Sequence, residues 1–144
     1  MKAVTITQPA IEDISTLWKW GEENRELWAS EQTKWYSKKA LQILIEHPGE
    51  DIFLTARVEN LPVGMCLTRT LQEWAYLESL YVNPDNRHQG IGKKLVEQTV
   101  NILKTRNIKN LSLQPQVHNL PAITFYKKLG FSAGFQFIWM EKKI

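Results

Sequence analysis

Apolar and polar residues alternate through residues 2–7, and the β-branched content there predicts a short first strand. Pro9 then opens a helix in which Ile11, Ile14, Leu17 and Trp18 recur at helical spacing, with Gly21 expected to end it. A second helical stretch, rich in Glu and Trp, is expected next. Residues 37–45 follow as a helix with Leu41, Leu44 and Ile45 apolar, closed by His47-Pro48-Gly49. Residues 51–58 alternate as a strand, and Glu59-Asn60-Leu61-Pro62 turns them into 63–70 as a hairpin. Residues 73–82 form a third long strand that ends at Asn83-Pro84-Asp85-Asn86. The pattern then changes. Ile91, Leu95, Val96, Val100 and Leu103 share one face of a helix over 90–106. A short strand at 111–114, a helix over 119–129 stopped by Gly130, and a last strand within 131–142 complete the chain.

That order predicts an α/β fold, a single mixed and mostly antiparallel sheet with helices on both faces. No linker, repeat or biased segment interrupts it, so 1–144 is expected to be one domain. A chain of 144 residues buries roughly two-thirds of its unfolded surface and needs no metal or disulfide staple. No apolar run approaches the roughly 18 residues of a membrane span. The N-terminus has no apolar signal core, and the single Cys66 fits a reducing cytosol, so a cytoplasmic location is expected. Charge is divided unevenly. Residues 1–86 carry 8 Lys+Arg against 13 Asp+Glu, and 87–144 carry 10 against 2. An acidic first part and a basic second part imply partners of opposite sign.

The densest chemistry lies in Leu80-Tyr81-Val82-Asn83-Pro84-Asp85-Asn86-Arg87-His88-Gln89-Gly90-Ile91-Gly92-Lys93-Lys94-Leu95. A strand ends, a polar turn follows, and two glycines open an amphipathic helix. Glycine lets backbone approach a ligand closely, and the first helical N–H groups have no partner within the helix. With the helix dipole they make an anion site, to which Arg87, Lys93 and Lys94 add formal charge; a diphosphate suits it. The third glycine of a dinucleotide fingerprint is absent, as is the Gly-Lys-Ser/Thr of a phosphate loop.

Arg87-x-x-Gly90-x-Gly92, directly after a strand ending in Val-x-Pro, resembles the acetyl-CoA signature of the GNAT N-acetyltransferase superfamily, Gln/Arg-x-x-Gly-x-Gly/Ala. Asn119-x-x-Ala122-x-x-Phe125-Tyr126-x-x-x-Gly130-Phe131 is similar to that family's later motif. The element order agrees across essentially the whole chain. One departure is Asn86, where relatives often carry an aromatic residue; it leaves the amide cradle untouched.

The resemblance implies a gap between the third long strand and the strand at 111–114 in which acetyl-CoA lies as co-substrate, with no metal. Main-chain groups of Leu80, Tyr81 and Val82 would hold the pantetheine arm. Amides of His88, Gln89, Gly90, Ile91, Gly92 and Lys93, beside Arg87, would cradle the diphosphate, and Asn119 would touch the pantetheine. Tyr126 matches the family's general acid, the competing reading being a core aromatic beside Phe125; Asn119 could serve as a helix cap as well. Attack needs a neutral amine, whereas an alkyl ammonium has a pKa near 10.4. Glu78, on the strand Tyr76-Leu77-Glu78-Ser79-Leu80, matches the proposed base of spermidine/spermine N-acetyltransferases. Alternation puts Trp74, Tyr76 and Glu78 on one face, with a local bend expected near Leu80. The competing reading of Glu78 is a solvated cross-strand partner for a Lys or Arg. Where the polyamine-acetylating group has Asp at the next position, this chain has Ser79.

Residues 18–31 hold four carboxylates, and five of six tryptophans fall between positions 18 and 74. Aromatic faces beside carboxylates suit a cationic amine, and Trp28, Trp35 and Tyr36 are the expected lining of the acceptor mouth. His118 could join a proton relay, His47 reads as a loop residue, and Cys66 as a small hydrophobe. The leading expectation is acetyl transfer to a primary amine of a small molecule. Acetylation of a protein N-terminus or lysine, and a non-catalytic CoA-binding module, are the alternatives. Neither nucleic acid nor membrane is an expected partner; a homodimer is, through the apolar stretch Phe135-Gln136-Phe137-Ile138-Trp139.

Overall fold

The computed structural model describes residues 2–144. Strands β1 (Val4–Thr7), β2 (Ile52–Val58), β3 (Leu61–Leu71), β4 (Trp74–Val82) and β5 (Leu111–Leu113) form one sheet in that spatial order. The first three pairings are antiparallel and β4–β5 is parallel. Helices α1 (Ile14–Glu23), α2 (Lys38–Glu46), α3 (Ile91–Thr105) and α4 (Leu120–Lys128) complete the fold. This is the mixed α/β architecture that the hydrophobic pattern predicts. The β2–β3 hairpin closes on Glu59 and Asn60, both at positive φ, the geometry that matches the twist of the flanking strands.

Each sheet face has its own core. Leu54, Cys66 and Leu77 meet Ile91, Leu95, Val96 and Leu103 of α3, with Phe125 and Tyr126 of α4 at the margin. On the other face Phe53, Met65, Leu67 and Tyr81 meet Leu17 and Trp20 of α1 and Leu41 of α2. Neighbouring pairs such as Phe53/Leu54 and Met65/Cys66 point to opposite cores, as strand geometry requires. Full burial of a Leu such as Leu95 contributes about 1.5–3 kcal/mol.

Three expectations are corrected. Gly21 does not end α1; it lies buried in the last turn beneath the Trp35 indole, and Asn24 breaks the helix instead. The Asn24 side-chain amide donates to Trp20 O at 2.7 Å and Trp28 Nε1 donates to Gly21 O at 2.8 Å, so side chains satisfy carbonyls that the helix leaves open. The expected second helical stretch is a single 3₁₀ turn, Arg25–Leu27, followed by irregular chain as far as Ser37. There the Ser37 hydroxyl caps α2 by accepting from Ala40 N. The last strand does not form. After Gly130 (φ +96) the chain runs without regular structure, leaving Phe135 92% and Ile138 87% exposed. Alternation marks a segment able to become a strand, yet the ladder bonds must come from a neighbour, and three-residue β5 offers a short edge.

Candidate active site

The parallel pairing of β4 with β5 is brief. Ala75, Tyr76 and Leu77 register with Leu111, Ser112 and Leu113, and then the strands part. Pro115 has no N–H with which to extend the ladder. In β4, Leu77 opposes Thr68 and Ser79 opposes Leu67, so Glu78 is the extra residue of a β-bulge. The bend expected near Leu80 therefore falls at Glu78. Its consequence is a change of phase: Leu77 and Leu80 both turn to the α3 core, while Tyr81 joins the α1/α2 core.

The gap forms a cleft that is open at its mouth. Glu78, Ser79 and Leu80 line one wall, Gln114, Pro115 and Gln116 the other, and Asn119, Ala122 and Tyr126 close one side. Glu26 and Leu27, from the turn after α1, reach the same space. Asn119 caps α4, its Oδ1 accepting from Ala122 N at 3.3 Å. The Tyr126 ring packs edge-on against Phe125 and Phe131, with centroids 5.2 and 5.5 Å away. Burial, together with the neighbouring Cys66, holds the Tyr126 phenol well above its ordinary pKa, so it keeps its proton. Cys66 itself is buried in the core and pushed up to about 11 by that burial, which leaves it a packed thiol.

Glu78 is not a free carboxylate. Both of its oxygens accept from the Tyr36 hydroxyl, at 2.7 and 2.6 Å. Arg69 Nη2 donates to Tyr36 Oη at 2.7 Å, and Arg69 Nε stands 3.5 Å from Glu78 Oε1. Burial and then the Glu78 carboxylate raise the Tyr36 phenol to about 12. Tyr76, on the same face of β4, is raised by the same two causes, and its hydroxyl donates to Gln114 Oε1 across the gap at 3.3 Å.

At the other end of β4, a 3₁₀ turn at Pro84–Asn86 leads to Gly90, at φ +78, and into α3. No side chain caps the α3 N-terminus, and a Cβ at Gly90 would meet nothing within 4 Å. A Cβ at Gly92 would lie 3.2 Å from Phe125, so that glycine allows α3 and α4 to pack closely. Arg87 folds back, its Nε donating to Val82 O at 2.8 Å and its guanidinium 5.6 Å over the Tyr81 ring. Lys93 pairs with Glu97 at the surface, 3.7 Å away.

The acetyltransferase (GNAT) family model matches residues 15–131. The chain belongs to that family. It is 32% identical to a spermidine N(1)-acetyltransferase of Thermoplasma acidophilum, with 98% of each chain covered. The crystal structure of the PaiA N-acetyltransferase of the same organism, in complex with coenzyme A, superposes with a TM-score of 0.77 at 28% identity, covering 92% of this chain and 91% of that one. A [ribosomal protein bS18]-alanine N-acetyltransferase of Salmonella typhimurium is 33% identical over 55% of this chain and 53% of its own length. This GNAT protein is an acetyl-CoA-dependent N-acetyltransferase, with an amine as its second substrate.

The acetyltransferase has a corner that fits the donor's phosphates. Its helix-start amides are uncapped, and the left-handed glycine keeps side chains away from them. Among the described residues, no group of three or more His, Cys, Asp or Glu could hold a metal ion, and no helix is long and apolar enough to cross a membrane. The three aromatic residues expected at the acceptor mouth separate. Tyr36 reaches the cleft through Glu78. Trp35 lies on α1, with Nε1 donating to Leu17 O at 3.2 Å. Trp28 is turned onto the end of α1, and Arg25 and Lys34 of the acetyltransferase's own chain already cover its ring, 5.7 and 5.0 Å from the centroid. Arg69 of β3 is the cross-strand cation that the competing reading of Glu78 expects, although the pair is about three-quarters buried and not solvated. Glu26 escapes sequence reasoning, because nothing local separates it from the other carboxylates of residues 18–31.

Proposed function

We propose that the chain acetylates a primary amine of a small, cationic molecule of the spermidine type, with Glu78 as base and Tyr126 as general acid. One observation carries this reading: a single cleft is lined both by a carboxylate, Glu78, and by a proton-bearing phenol, Tyr126. Acetyl-CoA supplies the activated acyl group. Amides of Gly90, Ile91, Gly92 and Lys93 would hold its diphosphate, and main-chain groups of Leu80 and Val82 its pantetheine arm. Glu78 receives the ammonium proton, directly or through water, so that the amine nitrogen can attack the thioester carbon. As the C–S bond breaks, Tyr126 delivers its Oη proton to the departing sulfur, and the proton shed by the acylated nitrogen as it becomes the amide restores the phenol by way of water. Support for a polyamine-type acceptor comes from the 32% identity to a spermidine acetyltransferase over nearly the full chain.

The test is acetyl transfer from acetyl-CoA to a panel of diamines, polyamines and alanine-ended peptides, read as kcat/KM. A polyamine or diamine is expected to exceed the peptides by about tenfold or more; peptides exceeding amines would establish the protein-directed alternative, and no transfer to any would favour a CoA-binding module. The donor corner is tested separately. Gly90→Val forces a β-branched residue to φ +78, at a cost of about 1–3 kcal/mol, and is expected to weaken CoA binding about tenfold by calorimetric titration.

We further propose that residues 1–144 work as one catalytic domain in the cytosol, independent of nucleic acid and membrane, and as a homodimer. The tail supports the dimer. Phe135, Phe137, Ile138 and Met140 are each more than 70% exposed, while the outer edge of β5 is unpaired. A contiguous apolar strand-like segment and an open sheet edge in the same chain suit mutual exchange between two copies. Sedimentation equilibrium is expected to give a dimer that Phe137→Lys with Ile138→Lys converts to monomer; a monomeric parent chain would overturn it.

A further inference from the structure

Around Glu78 stand three side chains from three separate parts of the fold. Tyr36 comes from the irregular stretch before α2, Arg69 from the end of β3, and Asp51 from the turn before β2. Asp51 Oδ2 accepts from Arg69 Nη1 at 2.7 Å, and its Oδ1 accepts from Thr70 N at 3.1 Å. Asp51 thus fixes the guanidinium from behind, and the guanidinium reaches both Tyr36 Oη and Glu78 from the front. Its carbon also lies 5.5 Å from the Tyr36 ring centroid. Asp51, Arg69 and Glu78 are each about three-quarters buried, which strengthens charge interactions relative to the surface.

Charge arithmetic says what this arrangement does. Two carboxylates share one guanidinium, so the group retains one formal negative charge, and among its ionised members Glu78 lines the amine cleft. Tyr36 has one proton to give and donates it across both Glu78 oxygens, which pins the carboxylate as a unit. Each oxygen keeps a further lone pair for a second donor. Such a device holds a carboxylate in the cleft with its rotamer fixed, for an incoming ammonium.

We propose that Tyr36 and Arg69, anchored by Asp51, are positioning residues that hold the Glu78 carboxylate oriented for the amine. This rests on the reading of Glu78 as the base. Neither residue touches the reacting atoms; each acts through Glu78.

Tyr36→Phe removes one hydroxyl and keeps the ring, so it tests the idea without disturbing the fold. It is expected to lower kcat/KM for the amine about tenfold, as the loss of a hydrogen bond to a charged group does. The KM for acetyl-CoA should stay within twofold. Arg69→Lys, which keeps the charge but loses the fork, should fall between the parent and Arg69→Met. The deciding measurement is the double variant: Tyr36→Phe in a Glu78→Gln background should cost no further activity, because the residue it positions is already gone. If Tyr36→Phe leaves kcat/KM unchanged, or costs as much in the Glu78→Gln background as alone, the positioning role is overturned while Glu78 keeps its own. Should Glu78→Gln itself keep full turnover, both readings fall together.

Discussion

Tyr126→Phe is expected to lower kcat by about 10²–10³-fold while CoA binds as before, the loss typical of removing one positioned proton donor. The ring stays between Phe125 and Phe131, so the α4 packing is retained and only the hydroxyl leaves. A free phenol near pKa 10 facing a free thiol near 8.5 makes proton delivery uphill by roughly 2 kcal/mol. Burial raises Tyr126 further. The same burial would destabilise a thiolate leaving into that cleft, so the mismatch does not grow in proportion. A raised phenol also remains protonated throughout the neutral range, which a general acid requires. Pre-steady-state measurement with acetyl-CoA and a diamine separates chemistry from product release. A variant that loses CoA affinity, or keeps full kcat, would remove Tyr126 from the acid role.

Gly21→Ala should be clearly destabilising, despite placing a better helix former in a helix. The propensity gain is about 1 kcal/mol. Against it, the new Cβ would stand 1.9–2.1 Å from three indole atoms of Trp35, well inside any real contact. Trp35 must swing off α1, giving up its bond to Leu17 O and its place over the second core. That costs about 3 kcal/mol or more, so the net is a loss of roughly 2 kcal/mol, or about 4–8 °C in melting temperature. Trp35 is the residue before Tyr36, so the displacement should also pull the hydroxyl from Glu78. Activity with the amine should fall together with stability, read by calorimetry and by KM. A melting point at or above the parent value would show that the indole is not held there.

These two sites differ in how far the sequence announced them. The turn at Arg87–Gly92 and the helix from Asn119 to Gly130 are contiguous, and their chemistry is local: a left-handed glycine, an uncapped helix start, a capping Asn, and a phenol one residue from a packing Phe. Such features depend on neighbours a few residues away and can be read along the chain. Along the chain Arg69 is legible only as an unnamed cross-strand cation for Glu78. Its other partners, Asp51 and Tyr36, lie 18 and 33 residues earlier, so the clasp they complete is not local. Gly21 misleads for a related reason. Glycine near the end of an amphipathic run commonly stops a helix, but here the missing side chain makes room for an indole fourteen residues later in the chain.

The sequence by itself determined the fold class, the two-faced alternation that fills two cores, and the glycine turn that opens α3, because each follows from periodicity or from torsional limits of single residues. Only the tertiary structure decided that Glu78 sits on a bulge, that Tyr36 and Arg69 clasp it, and that the apolar tail stays off its own sheet. Those outcomes depend on which backbone groups find partners across the sheet. Pairing of that kind is a property of two segments together, and neither segment carries it alone.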